Sequence, residues 1–309
     1  MKKILLALGC CVALFFEICN GCKEVPPTIT FGASAAKDTT YVITPVPATD
    51  AHNVLIEEFT GESCSNCPAA HAGLDANASV IGGTTFVISY YENSSAPINI
   101  PPSGAYFDFR NDKASTILAS AIFTTNADNT YPNLPGGGVD RAPVTSGTPT
   151  YLGASAWSGL IATRAAATDS LNLAVASVFS MGVATITATI TYTQAVSTPQ
   201  NLSIAIVEDS IIDYQEQPFG VIDSTYLFKD VFVDMVTPVP FGDAILDTLA
   251  TKEAGRVLKK VYTYTVPTSF AKGIVTPARC RVIAFVHQPS GASPDFHVIQ
   301  SAQAKLVAP

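Results

Sequence analysis

The stretch "EEFTGESCSNCPAAH", Glu57 to His71, sets Cys64 and Cys67 three residues apart, directly after an apolar segment that reads as a β-strand. A pair at this spacing can be a redox centre, half of a metal site or a structural clip, and the spacing alone does not choose between them. The flanking sequence predicts a fold. "VLIEEFT" from Val54 is a strand, Pro68 to about Ser79 a helix, "TTFVISYY" a second strand and Ser103 to Phe123 a mostly helical region. That alternation predicts an α/β domain.

Further along, "YPNLPGGGVDRAPV" is too rich in Pro and Gly for a helix and ends in a short apolar strand signal, and Ser155 to Ala167 reads as a helix. Beyond Thr168 the pattern changes. "LNLAVASVF", "VATITATITYT", "NLSIAIVED", "KKVYTYTV", "RVIAFVHQ" and "FHVIQSAQAKL" are β-branched, often alternating, and separated by turn residues. They predict an antiparallel sandwich. The expected organisation is a signal peptide at 1–21, a tether at 22–49, an α/β domain at 50–168 and a β-sandwich domain at 169–309.

Lys2 and Lys3 precede an apolar run from Ile4 to Phe16, which reads as a secretory signal because a bilayer span takes roughly 20 apolar residues. Asn20 and Gly21 before Cys22 resemble a bacterial lipobox, which makes Cys22 the expected site of lipid attachment and the membrane an expected partner; ordinary cleavage is the alternative. Cys19 stands where such a motif usually has Leu. The prolines of the following segment suit an extended tether.

Removal of the signal and acylation of Cys22 leave Cys64, Cys67 and Cys280. Cys280 shares a strand face with Val282, Ala284 and Val286 and reads as a small core residue rather than a resolving thiol. The chain carries 17 Lys plus Arg against 25 Asp plus Glu. With no basic stripe to release counterions, nucleic acid is not an expected partner.

A helix starting around Cys64 gives its thiolate the unpaired amides and dipole of a helix N-terminus, which lower a thiol pKa. In that reading Cys64 attacks and Cys67, one turn on, resolves, as thiol–disulfide exchange requires. Glu58 falls on the apolar strand face of Val54 and Ile56, where a partly buried carboxylate can relay the proton; Glu57 is the rival for that role.

The combination of "VLIEEFTGESCSNCPAAH", "PGGGVDR" and a β-rich C-terminal half containing "RVIAFVHQ" resembles the Bacteroidetes outer-membrane lipoproteins related to the 28 kDa outer membrane protein. The resemblance implies a thioredoxin-like domain followed by an immunoglobulin-like sandwich. It also implies that Pro135 is a cis proline opposite the cysteines, shaping a groove for an extended substrate; Pro132 is a rival. Ser63, Ser65 and Asn66 depart from the usual thioredoxin surroundings, so neither redox direction nor substrate follows. The implied partners are thiols or disulfides of exported proteins.

Two other readings stay open. Cys64, Cys67 and His71 form C-x2-C-x3-H, but a zinc site needs a fourth ligand and no second cysteine pair exists, so no metal is expected. Haem attachment is excluded by Pro68 in place of histidine, and no cofactor motif is present. The other is an inert disulfide in a surface protein that binds polysaccharide or another protein. Asp38, Asp169, Asp209, Asp223 and Asp247, each followed by Ser or Thr, resemble O-glycosylation acceptors. Oligomeric state is not legible.

Overall fold

In the segment Val183–Tyr192 every second side chain turns inward: Ala184, Ile186, Ala188, Ile190 and Tyr192 are buried, and the threonines between them are wholly or partly exposed. A period of two suits a pleated strand with one face on a core. Such strands dominate the computed structural model, which describes residues 38–80, 85–123, 134–143, 150–289 and 295–308. The expected signal peptide, Cys22 and the start of the expected tether lie outside the described residues, as does Pro132.

The N-terminal elements are β1 (Thr39–Val42), β2 (Val54–Thr60), helix α1 (Cys67–Val80), β3 (Thr85–Tyr91), helix α2 (Asp112–Leu118), β4 (Gly136–Val139), β5 (Leu152–Gly153) and helix α3 (Trp157–Ala165). Then follow β6 (Leu171–Ser180), β7 (Val183–Tyr192), β8 (Asn201–Glu208), β9 (Ile211–Gln217), β10 (Val221–Phe228) and β11 (Val231–Met235). The last are β12 (Asp243–Ala244), β13 (Arg256–Thr265), β14 (Cys280–His287) and β15 (Val298–Lys305). All belong to one compact unit, Ala36–Pro309.

Nine strands form one sheet in the order β15-β14-β8-β11-β3-β2-β4-β5, with β12 also paired to β8. Strands from both sides of Thr168 therefore share a sheet, joined where Val231 pairs in parallel with Ser89. A second sheet, β1-β13-β7-β6, packs over the C-terminal strands, burying Leu171, Ile186 and Ile190 against Ile204, Val282 and Val286. The other face of the large sheet buries Phe59, Tyr90, Phe232 and Phe285 beneath Ile117 and Leu118 of α2. Strands β8 and β14 are covered on both faces, so they read as continuous apolar runs rather than alternations. In β4 a Cβ at Gly137 would lie 2.0 Å from the Glu57 carbonyl, so the strand can approach β2 only as glycine.

The expected class, an α/β thioredoxin-like domain followed by an immunoglobulin-like sandwich, is corrected by this architecture. The chain is 45% strand and 16% helix, with three helices among the described residues and several sheets, none a closed barrel. Two physical causes account for the difference. The region Ser103–Phe123 yields only the seven-residue α2, and the sheet that β2 and β3 begin is completed mainly by β8, β11, β14 and β15.

Candidate functional site

Strand β2 carries acids on both faces, and both are buried to 1% exposure. On the face of Leu55 and Phe59, Glu57 accepts from Arg141 Nε at 2.5 Å and Nη2 at 2.7 Å, and from the Tyr90 hydroxyl at 3.1 Å. The Arg141 guanidinium also lies 4.8 Å from the Phe285 ring centre. On the face of Val54 and Ile56, Glu58 meets His71 Nε2 at 2.9 Å and accepts from the Ser89 hydroxyl at 3.2 Å.

Cys64 and Cys67 are bonded to one another and both are fully buried. Helix α1 begins at Cys67, so Cys64 sits in the preceding turn rather than at the helix tip. That turn is closed by Cys64 N donating to the Gly61 carbonyl and Cys67 N to the Cys64 carbonyl, each at 3.1 Å. Two outside segments then cover it. Ser63 donates from its hydroxyl to the Ile100 carbonyl at 2.6 Å. The β9–β10 ribbon comes down from the other side, with Gln215 Nε2 donating to the carbonyls of Cys64 at 3.1 Å and Gly61 at 3.3 Å, and Glu216 N to the Glu62 carbonyl at 2.9 Å.

Glu62, in the same turn, is fully buried. Burial and then the charge of Asp108 push its carboxyl up to about 9, so it is a neutral acid at physiological pH. His71 is the opposite case: burial favours its neutral form, but Glu58, Asp230 and Asp75 outweigh this and raise its pKa. Its Nδ1 faces the Tyr226 hydroxyl at 2.6 Å. Cys280 is a free, buried thiol pushed up to about 12 by its burial and by Glu208.

Of the residues singled out from sequence, Cys64 and Cys67 meet in the disulfide, while the contacts of Glu58 are with His71 and Ser89. Pro135 follows a cis peptide bond and lines a hollow of about 280 Å³ together with Asn66 of the cysteine turn, Ala70 and Trp157. His71, a zinc candidate, is held by Glu58, Thr60 and Tyr226. Among the described residues no group of three or more His, Cys, Asp or Glu side chains could hold a metal ion. Of the acceptor candidates, Thr39, Ser210, Ser224 and Thr248 are exposed and Ser170 is half-buried. Sequence reading missed Glu62 in the turn itself, and it missed Gln215 and Tyr226, since nothing local marks residues that reach the turn and His71 from a distant ribbon.

These features define a mainly β chain with a buried Cys64–Cys67 disulfide. The sequence model of the family described as outer membrane protein Omp28 matches residues 130–308, more than half of the chain, and the protein belongs to that family. Among solved structures it is similar to HBP35 of Porphyromonas gingivalis, at 16% identity over 85% of this chain and 78% of that one, with a TM-score of 0.61. That likeness concerns the fold. A crystal structure of a protein from Agrobacterium tumefaciens aligns at 11% identity over 85% of this chain and 97% of that one, with a TM-score of 0.47. No curated protein matches.

Proposed function

We propose that this outer membrane protein is a lipid-anchored, non-catalytic binding protein whose Cys64–Cys67 disulfide is a structural clip. The observation that carries this reading is the complete burial of both cysteines beneath the Ser63 and Gln215 contacts. Exchange needs an attacking thiolate to reach a sulfur along the S–S axis, and a covered bond offers no such path. Anchoring through Cys22 is supported by the Lys2–Lys3 pair and the apolar run before it. Among the described residues no helix is long and apolar enough to cross a membrane.

The competing reading is thiol–disulfide exchange on exported proteins, with Cys64 attacking, Cys67 resolving, Glu58 relaying protons and Pro135 shaping a groove. It is favoured by one observation, the shared hollow of Pro135 and Asn66, and it requires the ribbon to lift. An insulin-reduction assay separates the two. The clip predicts no turnover above the Cys64→Ala/Cys67→Ala variant, and turnover lost in that variant would establish exchange. Metabolic labelling with palmitate tests the anchor: label present in the wild type and absent from Cys22→Ala is expected, and equal label in both would refute it.

A further inference from the structure

A cleft of about 390 Å³ opens between α1, β3 and β10, beside the Cys67 end of the helix. Its volume lies within the range of small-molecule sites, about 300–1,000 Å³. The walls are apolar, formed by Pro68, Leu74, Val87 and Leu227, and Glu58 lies at the floor. His71 meets that carboxylate, and Asp75, Asp230, Tyr226 and Lys229 line the same cleft.

The charges bearing on the cleft do not cancel. Glu58 pairs with His71, Asp75 with Lys229 and Asp230 with Arg281, which also meets the adjoining Asp209, so four carboxylates face two fixed cations and one imidazole and the acids are in excess in either state of His71. Burial first, and then Asp209 and Glu58 against the opposing Arg281, push Asp230 up to about 6. Burial, followed by Glu58 and Asp75, raises the Tyr226 hydroxyl. Where carboxylates outnumber fixed cations, an incoming cation is favoured over a neutral or anionic group of the same shape.

We infer that this cleft binds an alkylammonium group, its charged head among Glu58, Asp75 and Asp230 and its hydrocarbon stem along Leu74, Val87 and Leu227. The apolar walls distinguish such a ligand from a bare metal ion, which has no stem to bury. The same chemistry is offered by a free small amine and by a lysine side chain of a partner protein. The inference rests on the reading of the chain as a binding protein.

The test is calorimetric titration of the full-length chain in non-ionic detergent with hexylammonium chloride, hexanol, sodium hexanoate and Nα-acetyl-lysine methylamide. The expected result is an ammonium compound bound at least about tenfold more tightly than hexanol, with hexanoate weakest. Tighter binding of the lysine derivative than of hexylammonium designates a partner's lysine, and the reverse designates a free amine; both support the ammonium site. Leu227→Trp, which fills the cleft without changing charge, should abolish binding, and Asp230→Asn should weaken it about tenfold. Unchanged unfolding midpoints show that both variants fold. Hexylammonium and the lysine derivative both bound no tighter than hexanol, or either bound equally by Leu227→Trp, would overturn the inference. Insulin reduction decides the clip independently, so the failure of one does not imply the failure of the other.

Discussion

The side-chain amide of Gln215 donates to the carbonyl of Cys64 at 3.1 Å, across 151 residues of sequence. This contact fastens the β9–β10 ribbon over the turn that holds the disulfide. Removing the amide with Gln215→Ala takes the second donor from each of two carbonyls that Cys64 N and Cys67 N still reach, at a cost of about 0.5–1.5 kcal/mol. If that cost falls on local opening, reduction by dithiothreitol should accelerate roughly 2- to 10-fold. Alkylation of the released thiols followed by mass spectrometry measures the rate, and an unchanged rate would show that the ribbon is not the cover.

Cys64 and Cys67 close a very short loop, so the clip stabilises modestly. The Cys64→Ala/Cys67→Ala variant should lose on the order of 2 kcal/mol. Urea unfolding should show this as a lower midpoint with little change in slope.

Arg141 and Glu57 form a fully buried ion pair between β2 and the turn after β4. Arg141→Met strands the Glu57 carboxylate and should cost about 3–5 kcal/mol, whereas Arg141→Met combined with Glu57→Leu should recover much of that loss. Denaturant titration of the two variants checks the difference.

His52 bridges Asp140 at 2.8 Å and Asp169 at 2.9 Å in the interior. Burial favours the neutral ring, but the two carboxylates overcome it and push His52 up to about 9. Glu62 is also pushed up to about 9, by burial first. In each case the folded chain keeps a proton that the unfolded chain releases, above about pH 6.5 for His52 and about pH 4.5 for Glu62. These contributions are present at low pH and are lost as pH rises through about 9, with a slope of at most about 1.4 kcal/mol per unit for each group. Thermal midpoints at pH 7, 8 and 9 should therefore fall, and Glu62→Gln should flatten the decline. A wild-type midpoint that rises across this range would contradict the assignment.

The strands of the chain were legible from alternation where one face is buried and from short apolar runs where both are. "VATITATITYT" alternates because only one face of β7 meets the core, and "VLIEEFT" is bounded by turn residues and followed by a helix signal. The partners of those strands were not legible. β3 is joined in the sheet by β11, which lies far downstream, and no local pattern encodes a pairing of that range. A repeated β-α-β reading of the first half consequently pointed to the wrong class. The ribbon escaped because "IIDYQEQPFGVIDSTYLF" places Ile212, Val221, Ile222 and Leu227 in solvent, against the usual partition of apolar residues. At the site, the cysteine pair was visible from its spacing, but strand face did not separate Glu58 from its rival Glu57, both being buried, and the cover supplied by Gln215 was not visible.

The disulfide is sealed in the native fold, and the most direct test of this is the rate of reduction of the folded full-length chain relative to the same chain in urea at equal dithiothreitol. Sealing predicts that native reduction is slower by at least about a thousandfold, since the bond must wait for the fold to open. Reduction within about tenfold of the unfolded rate would mean that the sulfurs are accessible in the native state.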